Sequence, residues 1–164
     1  MRIVFLVTIL LSQTVLANSI KDDEYAGVHL GSTGDSALGV LKNYQSGEDL
    51  YEEPESCFYL SPNANLDGPH IMVMDGVVVR FEVDEQDSKI KTEKGIGIDS
   101  TRAEVLAAYD NVKASVHPYL GEEAEYLEVK LANGYGLIFE TYQDKVTSFR
   151  LGSYPAVLYI EGCA

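Results

Sequence analysis

Apolar and polar residues alternate along 126–131 and again along 135–141, with Asn133-Gly134 between them. Alternation of this kind reads as strand, and Asn-Gly is the strongest short hairpin signal. Residues 145–151 predict a third strand and 156–161 a short fourth. Earlier in the chain, 71–74 and 77–83 form the same pattern around Asp75-Gly76. Two stretches change period. Val105, Ala108, Tyr109 and Val112 fall at i, i+3, i+4 and i+7 behind Thr101-Arg102-Ala103-Glu104, a capping-box sequence. Ala37, Val40, Leu41 and Tyr44 repeat the stripe, weakened by Gly34 and Gly39, each costing about 1 kcal/mol against Ala in a helix interior. Neither helix is apolar all round, so each must lay one side on a sheet.

The order of these signals is given twice. Gly27, Leu30, Ser32-Thr33, Val40-Leu41 and Tyr44 answer Gly95, Ile98, Ser100-Thr101, Val105-Leu106 and Tyr109. Tyr59-Leu60 answers Tyr126-Leu127, and Phe81 and Val83 answer Phe149 and Leu151. The expected fold is α+β: two tandem helix-plus-antiparallel-strand repeats, about 26–93 and 94–163, forming one sheet of about seven or eight strands with helices on one face.

The first seventeen residues follow a different plan. Met1-Arg2 precedes the apolar run Ile3 to Leu11, and Val15-Leu16-Ala17 sets small residues where a signal peptidase cuts. The run is shorter than the roughly 20 apolar residues a membrane span needs. Residues 1–17 therefore read as a signal peptide cleaved near Ala17. Residues 18–163 read as a single periplasmic or secreted domain that is not membrane-integral.

A formal net charge of −14 argues against a nucleic-acid partner, whose phosphates reward Lys and Arg, and admits a basic protein partner. The two cysteines, Cys57 and Cys163, are expected to be bridged in an exported chain.

Signs of catalysis are sparse. His29, His70 and His117 form no HExxH or HxH spacing, and no GxSxG is present, so no metal and no cofactor is expected. Asn63-x-Asn65-x-Asp67-Gly68 begins like a calcium loop, but Met74 stands where the bidentate Glu belongs. An Asx-rich loop is the better reading, with a weak surface calcium site left open. The acidic clusters around Glu48–Glu55, Glu82–Asp87 and Glu122–Glu125 read as solvated loops and strand ends.

The run Gly97-x-x-x-Thr101-x-x-x-Val105 resembles the signature of the SmpA/OmlA envelope domain. The tandem helix-then-strands plan resembles the β-lactamase inhibitor protein (BLIP-like) fold. The resemblance implies a non-enzymatic protein of the envelope. It carries no residue roles, because no inhibitory loop can be matched.

The aromatic residues offer a candidate surface. Eleven Tyr and five Phe are present and no Trp. A two-residue Asn133-Gly134 loop pairs Lys130 with Leu137 and Glu128 with Phe139. Tyr126, Glu128, Lys130, Tyr135, Leu137 and Phe139 then share one sheet face, with Glu122, Glu123 and Glu125 at its rim. A face mixing aromatics with charge suits protein binding, unless Leu137 and Phe139 are core. The expected function is an exported binding protein: an inhibitor, immunity protein or envelope accessory factor. The competing expectation is a small periplasmic hydrolase using His117 or His70 with an acidic neighbour.

Overall fold

The structure is a computed structural model and describes residues 19–47 and 56–163. The signal-peptide expectation, and the acidic cluster from Glu48 to Glu55, lie outside the described residues. Three two-residue strands, β1 (Ser19–Ile20), β2 (Glu24–Tyr25) and β3 (Val28–His29), lead into helix α1 (Gly34–Val40). Strands β4 (Tyr44–Ser46), β5 (Cys57–Pro62), β6 (His70–Met74) and β7 (Val77–Val83) follow. After β8 (Lys91–Thr92) come helix α2 (Arg102–Ala108) and strands β9 (Lys113–His117), β10 (Gly121–Lys130), β11 (Gly136–Tyr142) and β12 (Lys145–Gly152). A 3-10 turn at Ala156–Leu158 ends the fold.

Eight strands form one sheet in the order β4-β5-β6-β7-β12-β11-β10-β9, and every neighbouring pair in it is antiparallel. Asp75 (φ 48°) and Gly76 (φ 75°) supply the two left-handed residues that a tight β6–β7 hairpin requires. One face of the sheet carries the core. Across it run Val129, Leu137, Leu151, Phe81, Ile71 and Leu60 in cross-strand register, all buried.

The fold class departs from expectation. The chain is mostly β, and it is not an α+β array of two helix-plus-strand repeats with helices layered on a face. Both helices stop after seven residues. They bury only Gly34 and Ala37 from α1 and Val105 from α2, and Val40 points outward. The cover of the core face is built largely from short strands and loops, through Ile20, Tyr25, Val28, Leu30, Ile90 and Ile96. The α2 capping box does form: the Thr101 hydroxyl accepts from the Glu104 N–H, and Glu104 accepts from the Thr101 N–H. Yet Tyr109 is already extended, and the rest of the apolar stripe continues into irregular chain. Periodicity located Ala37, Leu41, Tyr44, Val105 and Tyr109 as buried, misplaced Val40, and overstated how much helix carries them.

A second correction concerns register. The loop after β10 holds three residues, not two, because Leu131 N–H bonds to Tyr135 O (2.9 Å). Val129 therefore faces Leu137, Leu127 faces Phe139 and Glu128 faces Ile138. A shift of one residue sends every side chain of a strand to the opposite face. Leu137 and Phe139 thus lie in the core at 1% and 0% exposure, and Tyr135 packs against that core.

The segment 156–161 is a third correction. It forms no strand. The sheet's edges are β4 and β9, while β12 lies in the middle. The chain leaving β12 finds no free edge beside it and turns onto the sheet's second face.

Candidate functional site

The second face carries a polar row. Lys113, Glu128, Ile138, Arg150, Glu82 and His70 stand opposite one another on successive strands. A row of this kind on an uncovered sheet faces water. Here it lies partly beneath the final segment, 153–163, which crosses the sheet as a strap.

Three fastenings hold the strap. Arg80, 1% exposed, donates from Nη1 to the carbonyls of Ala156 (3.1 Å) and Tyr159 (2.8 Å). Its Nη2 bonds to Glu82 Oε2 (2.6 Å) and to the Tyr59 hydroxyl. Arg150, 2% exposed, donates from Nε to Val157 O (2.8 Å) and from Nη1 to Glu140. The disulfide Cys57–Cys163 ties the strap's end to the start of β5. It spans 106 residues, a loop length credited with roughly 4–5 kcal/mol by the chain-entropy model. Gly136 makes the close approach possible: a Cβ there would sit 2.8 Å from Val157 and 2.9 Å from the Tyr154 ring. Buried strap residues Ala156 and Val157 press on the sheet, and Tyr154 donates to Glu128 Oε1 (2.8 Å). Burial, then that carboxylate, pushes the Tyr154 phenol up to about 12.

What the strap turns outward is apolar. Leu158, Tyr159 and Ile160 are consecutive and 45%, 38% and 42% exposed. Tyr119, 65% exposed, reaches the strap by donating to Glu161 Oε1 (2.9 Å), and Leu120 beside it is also exposed. Apolar side chains thus stand exposed on a backbone fastened by Arg80, Arg150 and the disulfide.

Beside Ile160 opens a cavity of about 350 Å³, lined among others by Tyr59, Ser61, His70, Glu82, Asp84 and Glu161. Burial, and then the carboxylate of Glu82, raise the Tyr59 phenol well above its usual range. Asp84 is raised chiefly by burial, opposed by His70 and reinforced by Glu82 and Glu85. Ser61 Oγ lies 2.9 Å from His70 Nδ1, and Asp84 Oδ1 lies 3.8 Å from Nε2. The second contact is beyond hydrogen-bond reach. The cavity's strong donors are already spent: the Arg80 Nη groups on Glu82, Tyr59 and the strap, and the Tyr59 hydroxyl on Glu82 (3.2 Å). Arg80 Nε has no partner but is sealed from solvent. Among the described residues lining the cavity, the side-chain donors best suited to an oxyanion, Arg80 and Tyr59, are thus engaged elsewhere.

At the other end of the face, His117 is 7% exposed. Its Nδ1 accepts the N–H groups of Tyr119 (3.1 Å) and Leu120 (3.3 Å). Its Nε2 lies 3.1 Å from the Tyr126 hydroxyl and 3.7 Å from Glu140 Oε2. A histidine so enclosed has no open side toward a substrate.

The residues expected to form one binding face are divided between two. Tyr126, Glu128 and Lys130 are on the strapped face, where Lys130 Nζ stands 5.9 Å from the Tyr154 ring. Glu122 and Glu123 are exposed, and Glu123 accepts from Tyr142 (3.1 Å). Glu125 projects to the helix side and pairs with Arg102 at 2.5 Å. Tyr135, Leu137 and Phe139 belong to the core side and form no surface with Tyr126. Sequence reasoning missed Arg80, Arg150 and the strap. The available signal was an arginine at the alternate position of two otherwise core-forming strands, Val79-Arg80-Phe81 and Phe149-Arg150-Leu151.

Among the described residues no group of three or more His, Cys, Asp and Glu side chains is placed to hold a metal ion. Asp67, the best acid of the calcium-like loop, accepts instead from Ser88 Oγ (2.6 Å) and the Lys89 N–H (2.7 Å). Among the same residues no helix is long and apolar enough to cross a membrane.

No family model matches this chain, and no curated protein matches it. Among solved structures it is similar to an extracellular protein containing an SCP domain from Bacillus anthracis str. Ames, at 12% identity and a TM-score of 0.48. The similarity covers 96% of this chain and 51% of that one, so the chain spans about half the length of the protein it matches.

Proposed function

We propose that this is an exported binding protein that engages a basic protein partner through its strap. One observation carries the reading: Leu158, Tyr159 and Ile160 stand exposed on a segment held down by two buried arginines and a disulfide. Contiguous exposed apolar residues mark interaction surfaces, and here the backbone that carries them is fastened in place. Preset anchors lose little conformational entropy on binding, and aromatic residues among them make effective contact centres. The disulfide fits an oxidising compartment.

Charge gives the partner's chemistry. The chain holds 26 Asp and Glu against 12 Lys and Arg. Glu161 borders the apolar strap, and Asp84 and Glu82 line the cavity beside Ile160, where a partner's Lys or Arg side chain would be received. Rim carboxylates of this kind speed association with a basic surface and make it salt-dependent. The hydrolase alternative is less well supported, because His117 is enclosed and the Arg80 and Tyr59 donors in the cavity around His70 are engaged with Glu82 and the strap.

The test is quantitative capture from envelope extract by the disulfide-bonded domain and by the double variant Tyr159→Ser/Ile160→Ser. A protein held by the parent domain should bind the variant at least about 5-fold more weakly, more than 1 kcal/mol for the pair. It should also be lost from the parent at high salt. Equal capture by both domains would remove the strap from the proposal.

A further inference from the structure

His117 has a geometry that only one protonation state fits. Two backbone N–H groups, those of Tyr119 and Leu120, point at Nδ1. Nδ1 must therefore carry the lone pair, and the proton of the neutral ring sits on Nε2, toward Tyr126 and Glu140. A second proton on Nδ1 would face two donors with nothing to accept it. Both bonds from the ring to the 118–120 turn would be lost together, leaving the turn held by the His117–Gly121 pair at its base and by Tyr119 on Glu161.

We propose that His117 is an acid-sensitive latch on the docking surface: its protonation frees the turn carrying Tyr119 and Leu120 and dismantles one side of that surface. This rests on the strap reading for its consequence, but not for its chemistry.

The groups around the ring decide what moves. From β11, Glu140 Oε2 stands 3.7 Å from Nε2 and attracts an imidazolium. From β12, Arg150 is paired with Glu140 and opposes the added charge. From β10, the Tyr126 ring packs at 4.6 Å between centroids and its hydroxyl meets Nε2. From the turn itself, the Tyr119 ring lies at 6.0 Å, and from the strap Glu161 holds the Tyr119 hydroxyl. Apart from the two amides and the Tyr119 ring, the groups around the imidazole lie in the sheet. The charged ring stays with Glu140 and Tyr126, and the exposed turn is the part that leaves. Once it leaves, Glu161 loses its bond to Tyr119.

Acidification thus acts on the partner site without touching Leu158, Tyr159 or Ile160. A basic partner would thus be held while Nδ1 keeps its lone pair and released once it takes a proton.

The experiment is amide hydrogen exchange of the disulfide-bonded domain followed by NMR, corrected for intrinsic rates, between about pH 7.5 and pH 5. Protection of the Tyr119 and Leu120 amides should fall at least about 10-fold. Its midpoint should coincide with that of the His117 ring signals followed in the same samples. His117→Asn places a carbonyl oxygen near the Nδ1 position, so its two amides should keep their protection throughout. The wild-type comparison of midpoints stands alone if that variant does not fold. Amides that stay protected while the His117 ring titrates would overturn the latch. Partner binding gives an independent readout. If the latch opens but the partner's affinity does not change with pH, the strap reading fails and the latch stands.

Discussion

Phe139→Ala lowers the free energy of unfolding by about 3–5 kcal/mol, the usual cost of truncating a fully enclosed aromatic residue. Phe139 is 0% exposed, paired with Leu127 on β10 and Phe149 on β12, with the Tyr109 ring 5.6 Å and the Phe149 ring 5.9 Å away between centroids. Alanine leaves a void between three strands and the end of α2 that no neighbour is free to fill. Tyr159→Ala removes a ring of comparable size from the strap's outer side, and should shift stability by less than about 1 kcal/mol. Denaturant unfolding of the two variants side by side measures the contrast. Equal, small losses would place Phe139 at the surface and restore the two-residue hairpin register.

Arg80→Ala should cost about 3–5 kcal/mol, because removing one member of a buried ion pair strands the groups it served. Those groups are the Glu82 carboxylate and the carbonyls of Ala156 and Tyr159. Glu82 retains some solvent contact, at 19% side-chain exposure, which moderates the loss from that partner. The two carbonyls are different: they are the strap's own, and Nη1 is the donor that pins them. Arg80→Lys should not restore stability, since one ammonium cannot reproduce a planar fork that reaches two carbonyls on one side and Glu82 with Tyr59 on the other. Unfolding midpoints of both variants, with the disulfide intact, check this. A lysine variant as stable as the parent would show that charge alone holds the strap.

Which parts of this molecule were legible in the sequence follows from the range of each interaction. The Asp75-Gly76 hairpin and the Thr101/Glu104 capping box are local, and four or five residues specify each. The pairing of Cys57 with Cys163 needed only parity and the expectation of export. The Asn133-Gly134 loop was misread by one residue, because the Asn133 side chain accepts the Tyr135 N–H (3.2 Å) and widens the turn. That one residue exchanged the sheet faces of Phe139 and Ile138, and Ile138 lies buried on the second face. The helices were overread because an apolar stripe at helical spacing does not say where the backbone stops being helical. The strap was illegible for a topological reason. Ala156 and Val157 look like a strand until the sheet order shows that β12 has no edge beside it. Arg80 and Arg150 were passed over for the same reason: a charge on an alternate strand position belongs to the solvent face, unless a later segment covers that face.

Site-specific photo-crosslinking tests the proposed function most directly. A benzophenone side chain placed at position 159 on the strap is compared with one at position 106, equally exposed on α2 at the other side of the sheet. The account predicts a discrete protein adduct from position 159 that disappears at high salt, and none from position 106. Adducts from position 106 alone, or salt-insensitive labelling of many proteins from both positions, would contradict it.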